Sequence, residues 1–344
     1  LAASMESLLC ASVAEWELLD YSSPSLSNKE LSKDKALDEY LLIQKYFSNI
    51  GSAYLAEHNV DNSIGDDASV ISPANNTQQI NSLDTSIEGV HFSDTMSSED
   101  IAYRSCAVAL SDLAACGARP KWYSIALTIP EVDENWLKGY AQGLHTFSEE
   151  YRIPLIGGDT TKGNLSITVQ VMGEVDSGKA ILRSNAKVDQ LIFVSGIIGK
   201  AYLGLNELQE AEALTSNSLA YLRPKAKIDL GLELANIASA AIDISDGLLQ
   251  DVNLICKASD IGAEIFLDKI PTSITEKSLE LINSGDDYEL CFTADKDKHE
   301  QIMNISKKLD IPITLIGKTT SSKELVLYGE SHTRIKLNSG YKHF

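Results

Sequence analysis

Aspartates recur at the ends of apolar segments along this chain. They stand in Ile64-Gly65-Asp66-Asp67, Ser82-Leu83-Asp84-Thr85, Leu110-Ser111-Asp112, Gly157-Gly158-Asp159-Thr160-Thr161 and Ile242-Asp243-Ile244-Ser245-Asp246-Gly247, with Asp286-Asp287 late in the chain. Carboxylates in or near a core repel one another and resist leaving water, so a fold that gathers them needs cations to neutralise them. An oxygen-only donor set suits Mg²⁺, which commonly bridges carboxylates to the phosphates of a substrate. The pattern points to a site for a metal–nucleotide complex.

The remaining composition narrows the partners. The 344 residues are 44% hydrophobic, enough for two domains with real cores. A formal charge of -20 disfavours direct binding of nucleic acid or an anionic membrane, both of which want basic patches. It leaves an anionic substrate open, because bound divalent ions reverse the local sign. No apolar run approaches a membrane span. Five scattered cysteines (Cys10, Cys106, Cys116, Cys256, Cys291) lack CxxC spacing and read as buried free thiols in a reducing cytoplasm, and the six histidines form no zinc pattern.

Residues 1–37 differ from the rest, with Ser22-Ser23-Pro24-Ser25 and a mixed-charge run from Lys29 to Glu39. They read as an extension outside the chemistry, disordered in part, and not as a signal peptide, because Glu6 and Glu15 interrupt the apolar residues. From Tyr40 the pattern sharpens into a helix ending near Gly51. Residues 78–87 and 165–175 alternate as strands, and 99–116 and about 134–150 have helical spacing. Residues 176–190 read as a domain junction. The second half opens on a buried strand, Leu191–Val194. A helix near 225–240 leads to the strand Ala241–Ile244, and a Ser-Asp-Gly turn with Ser245 or Asp246 as N-cap leads to a helix from about Leu248 to Ala258. Further strands are expected at Glu264–Leu267, Tyr288–Thr293 and Ile313–Ile316. The expected architecture is α/β (α+β), in two domains, 38–178 and 179–344.

Each motif has a plainer alternative. Asp112 could lie on a solvated helix face, although Leu110, Leu113 and Ala114 surround it. The Gly157-Gly158-Asp159 segment reads as a Gly-rich loop whose backbone N–H groups approach phosphate; an ordinary turn between strands is the alternative. It is not a Walker loop, since the GxxxxGK[ST] spacing is absent. Capping explains Asp246 as well as metal binding does, but not Asp243, set inside an apolar strand. Arg183 is a candidate phosphate clamp or a surface arginine. His91 is a core histidine or a contact for an anionic substrate.

Taken in order, IGDDASV, DTSIEGVHF, ALSDLAACGARPKW, LIGGDTTKGNLSITVQVMGEV, LRSNAKVDQ, AIDISDGLLQDV and SGDDYELCF resemble the thiamine-monophosphate kinase family, in the aminoimidazole-ribonucleotide synthetase-like superfamily. The resemblance covers roughly residues 38–344. It implies transfer of the γ-phosphoryl of ATP, the co-substrate, to thiamine monophosphate, giving thiamine diphosphate. It also implies a homodimer whose N-terminal sheets close a barrel across the interface, with a C-terminal α/β domain alongside. By the same resemblance Asp67, Ser82, Leu83, Asp84, Asp112, Asp159, Asp243 and Asp246 would hold several Mg²⁺ ions. Gly158, Asp159, Arg183 and Ser245 would contact ATP. His91, Asp286 and Tyr341 would contact thiamine monophosphate. Two positions depart from the family pattern: Leu83 replaces a threonine, so a metal contact there must use the backbone carbonyl, and Asp286 replaces a longer glutamate. No residue is expected to act as nucleophile or base. Competing readings are a related ATP-dependent synthetase needing a second nucleophile, and a non-catalytic metal- or nucleotide-binding module.

Overall fold

The computed structural model describes residues 39–210 and 214–335; the expected extension and Tyr341 lie outside them. After α1 (Glu39–Tyr46), a short antiparallel ribbon of β1 (Val60–Asn62) and β2 (Val70–Ile71) carries Asp66 and Asp67 in its connecting turn. A four-stranded sheet follows, built from β3 (Thr77–Ile87), β4 (Arg119–Ile129), β5 (Leu155–Lys162) and β6 (Ser166–Asp176) in the order β3-β6-β4-β5. β3 and β6 pair antiparallel over eleven residues, from Thr77 opposite Asp176 to Ile87 opposite Ser166.

Two helices cover this sheet. α2 (Ser98–Ala115) begins where the Ser97 hydroxyl accepts the Asp100 N–H at 3.1 Å, with Glu99 and Asp100 favourably placed in the first turn. α3 (Glu134–Tyr151) begins on Asp133, whose carboxylate accepts from Asn135 and Trp136. Leu110, Leu113, Tyr123, Leu144, Phe147, Ile167 and Val169 form the layer between helices and sheet. Burying each Leu or Phe there contributes roughly 1.5–3 kcal/mol.

The second sheet comprises β7 (Leu191–Ser195), β8 (Ala240–Asp243), β9 (Gly262–Phe266), β10 (Leu290–Ala294), β11 (Ile313–Thr320), β12 (Leu325–Tyr328) and β13 (Arg334–Ile335). Its order is β13-β12-β9-β11-β7-β10-β8, with β9 and β12 parallel and the other neighbours antiparallel. The accompanying helices are α4 (Lys200–Gln209), α5 (Ser216–Leu222), α6 (Ile228–Leu234), α7 (Leu248–Ser259), the single turn α8 (Ser278–Leu281) and α9 (His299–Leu309). Leu248, Leu249, Val252 and Ile255 of α7 pack on one face of the sheet, while α6 and α9 pack on the other. Ala114 and Ala115, at the end of α2, join that second layer with Phe193 and Phe292. α2 therefore belongs to both cores, which explains why it is apolar almost all round.

The short strands β1, β2, β12 and β13 were not expected, nor were two strands of the four-stranded sheet. β4 is buried on both faces, with Trp122, Tyr123 and Ile125 all in the core, so it lacks polar–apolar alternation. The segment read as a Gly-rich loop is β5, paired in parallel with β4. The helix expected near 225–240 is shorter, ending at Leu234.

Candidate active site

Strand alternation separates the residues of β3. Ser82, Asp84 and Ser86 face α2, whereas Leu83, on the other face, is 60% exposed. The Ser82 hydroxyl donates to Asp112 Oδ2, tying β3 to the last turns of α2. Burial, reinforced by the charges of Asp112 and Asp246, pushes the Asp84 carboxyl up to about 6. Asp243 ends β8 only 4% exposed; burial and then Asp112 push it up to about 7, against the opposing pull of the Ser111 hydroxyl and the Arg183 charge.

Asp84, Asp112, Asp243 and Asp246 thus form one electrostatic group, delivered by β3, α2 and the β8–α7 turn. Among the described residues none of the four forms an ion pair. The donors are all oxygens, and burial with mutual repulsion raises two of them toward neutrality, so their chemistry fits a hard divalent ion. No three His, Cys, Asp or Glu side chains among the described residues converge closely enough to hold an ion alone. Water and substrate phosphate would complete the shell, as Mg²⁺ ordinarily requires.

The Ser-Asp-Gly turn is held differently from the expected cap. Neither Ser245 nor Asp246 caps α7; Gly247 occupies the N-cap position without a side-chain bond. Asp251, one turn into α7 and 1% exposed, reaches back to accept the N–H groups of Ser245 (3.1 Å) and Asp246 (3.3 Å). Gln250 donates to Asp246 Oδ2 at 3.0 Å. Asp251 could have been found in the sequence, because it interrupts the apolar stripe of Leu248, Val252 and Ile255. The turn also docks on the loop before β10: the Asp286 N–H donates to Ser245 O at 2.8 Å. Gly285, at φ +75°, has no room for a side chain, since a Cβ would stand 2.4 Å from Ser245 O.

Gly158 and Asp159 are exposed on β5, at the edge of the sheet opposite β3. A Cβ on Gly158 would stand 2.0 Å from Ile125 O, so close pairing with β4 accounts for glycine there. Asp67 is exposed in the β1–β2 turn, its N–H held by Asp66 Oδ1 at 2.8 Å. It makes no hydrogen bond or ion pair with the Asp84–Asp112 group. Arg183 is exposed on the segment before β7, and its carbonyl accepts from Ser259 at 2.8 Å.

His91 Nδ1 accepts the Ile87 N–H at 3.1 Å, which places the ring proton of the neutral tautomer on Nε2. Asp286 is engaged by a residue that sequence reasoning missed: Arg104 of α2, 5% exposed, whose Nη2 lies 2.6 Å from Asp286 Oδ1. The adjacent Asp287 accepts the Gly199 N–H at the start of α4 with both oxygens, each at 2.9 Å.

Models of the AIR synthase related proteins match this chain, the N-terminal domain over residues 65–175 and the C-terminal domain over 176–330. The fold and the oxygen-lined site therefore place it in that class of two-domain α/β proteins. The thiamine-monophosphate kinase of Haemophilus influenzae is 40% identical over 326 residues, covering 90% of this chain and 98% of the relative. The crystal structure of thiamine-monophosphate kinase from Stenotrophomonas maltophilia superposes with a TM-score of 0.77 at 36% identity, over 83% of this chain and 98% of the other. A structure of AaThiL complexed with AMPPCP and TMP matches with a TM-score of 0.70 at 26% identity, over 91% of this chain and 100% of the other. The chain belongs to the thiamine-monophosphate kinase family.

Proposed function

We propose that the protein transfers the γ-phosphoryl group of ATP to the phosphate of thiamine monophosphate, releasing thiamine diphosphate and ADP. One observation carries the reading: Asp84, Asp112, Asp243 and Asp246 interact across three elements, and no ion pair among the described residues neutralises them. Mg²⁺ ions bound there and at the further ligands Asp67, Ser82 and Asp159 would neutralise the two phosphate groups and align them. Leu83 could contribute only its carbonyl, because its hydrocarbon side chain has no donor atom and lies on the opposite face of β3.

The residues have distinct tasks. Arg183, whose charge already reaches Asp243, and the exposed Ser245 on its pinned turn hold the nucleotide. Gly158 lets the nucleotide approach the β5 backbone. His91 and Asp286 hold the acceptor. The attacking oxygen belongs to a phosphate ionised near neutral pH, so no protein nucleophile or strong base is needed, and transfer is direct and in line.

The reading includes a homodimer. The outer edges of β3 and β5 are unpaired by any strand among the described residues, and a twofold partner offers the same two edges in return. The buried free thiols Cys106, Cys256 and Cys291 suit a reducing cytoplasm. No helix among the described residues is long and apolar enough to cross a membrane.

The deciding experiment is incubation with ATP, Mg²⁺ and thiamine monophosphate, followed by chromatographic detection of thiamine diphosphate. ATP binding without product would favour a non-catalytic module. Turnover that depends on an added amine or selenide would favour a related synthetase.

A further inference from the structure

Arg104 is a cation enclosed in the protein. It is 5% exposed, on the face of α2 turned toward α5 and the loop before β10. Its Nη2 lies 2.6 Å from Asp286 Oδ1, and its Nη1 donates to Tyr221 O at 2.5 Å. The guanidinium stands 4.1 Å from the centroid of the Tyr221 ring and 5.9 Å from that of Tyr288. Tyr288 donates its hydroxyl to the same Asp286 oxygen at 3.1 Å. Tyr221 passes the connection on, donating its hydroxyl to the carbonyl of His91 at 3.2 Å.

Stability alone is a poor reason for this arrangement. Desolvating a guanidinium and a carboxylate cancels much of their attraction, and a well-packed apolar pair does as well or better. The backbone around the acid is also held in an uncommon shape: Gly285, Asp286 and Tyr288 all have positive φ, +75°, +64° and +50°. Such conformations persist where the surroundings over-determine them, and they cluster at ligand sites. Among the described residues both bonds to the Asp286 side chain fall on Oδ1, which leaves Oδ2 to accept from a ligand donor.

The position of Arg104 on α2 adds a second argument. It lies eight residues before Asp112, roughly 12 Å along the helix axis. One rigid helix therefore presents an acid to the phosphate end of the site and organises an acid at the far end. That span fits an acceptor with its phosphate at one end and its ring system at the other.

We propose that Arg104 is a positioning residue for the acceptor. Its forked guanidinium fixes the Asp286 carboxylate and, through Tyr221, the turn carrying His91, so that both meet the ring end of thiamine monophosphate in register. The assignment rests on the reaction proposed above. It also supplies a reason for aspartate at position 286: the shorter side chain is the one that Arg104 and Tyr288 clamp in place.

Steady-state kinetics with each substrate varied test it. Arg104→Lys keeps a buried cation but loses the fork. It is expected to raise the KM for thiamine monophosphate roughly tenfold, while leaving the KM for ATP within about twofold. In an Asp286→Asn background the same substitution should add less than about twofold, because both changes remove one interaction. Tyr221→Phe keeps the ring under the guanidinium and should raise the KM for thiamine monophosphate several-fold, which decides the matter if Arg104→Lys does not fold. Equal rises in both KM values, full additivity with Asp286→Asn, or an unchanged KM in Tyr221→Phe would overturn the role of Arg104 alone. Failure of the wild-type protein to form thiamine diphosphate would overturn the reaction itself, and this assignment with it.

Discussion

Asp84 and Gly158 occupy one row of the four-stranded sheet, at its two opposite edges. Asp84 pairs with Val169, Val169 with Ile125, and Ile125 with Gly158. Three strand spacings separate the ends of that row by roughly 14 Å. Asp84 and Asp159 of one chain are thus too far apart to share an ion, yet a twofold partner that joins β3 to β5 would set them side by side.

This relationship makes the dimer testable through activity. Asp84→Asn and Asp159→Asn are each expected to be inactive alone. Co-expressed, they should recover up to about a quarter of wild-type activity, since half the dimers are mixed and each mixed dimer has one intact site. Absence of recovery, with mixed dimers demonstrated by tags of different size, would place both aspartates in the site of a single protomer.

Legibility in the sequence followed local pattern. β3, β6, α2, α3 and α7 announced themselves through alternation or helical spacing, and the structure places them within a residue or two of the expected limits. β4 could not be read, because both of its faces are buried and no polar–apolar alternation marks it. β5 looked like a loop, because paired glycines serve close strand pairing as readily as phosphate contact. Asp84, Asp112 and Asp243 stood out as acids interrupting apolar runs. Arg104 did not, because Tyr103-Arg104-Ser105 resembles an ordinary exposed helix segment and its partner lies 182 residues away. Long-range pairing leaves no trace in a single local window.

A pH dependence follows from Asp287. Burial pushes its carboxyl from an ordinary 3.8 up to about 8, against the two bonds from Gly199 and with help from Glu289. A raised acid pKa means that the folded state keeps a proton the unfolded chain releases. Stability from this group is therefore intact below 3.8 and declines as pH rises toward about 8. Asp84, Asp243 and Asp251 contribute with the same sign. Without Mg²⁺, the Tm should fall between pH 5.5 and 8.5 by something on the order of 5 °C. Asp287→Asn should show a visibly shallower fall, as followed by calorimetry. An equally steep or steeper slope in the variant would remove Asp287 as a source of the effect.

Asp251 offers a test that separates scaffold from chemistry. Two effects oppose each other there: its bonds to the Ser245 and Asp246 N–H groups hold the turn, while its charge repels Asp243 and Asp246. Its carboxyl is pushed up to about 7, so at pH 6 it is mostly neutral and the repulsion is weak. At that pH the hydrogen bonds decide. Asp251→Ala should cost about 1–3 kcal/mol by leaving buried donors unmet, whereas Asp251→Asn, which keeps one acceptor oxygen, should cost clearly less. Loosening the turn should also raise the KM for ATP through Ser245, with a smaller effect on thiamine monophosphate, whose contacts are anchored by Arg104. Denaturant unfolding at pH 6 and two-substrate kinetics would measure both effects; an Asp251→Ala protein as stable as wild type would show that the turn is held by its docking on Gly285 and Asp286 instead.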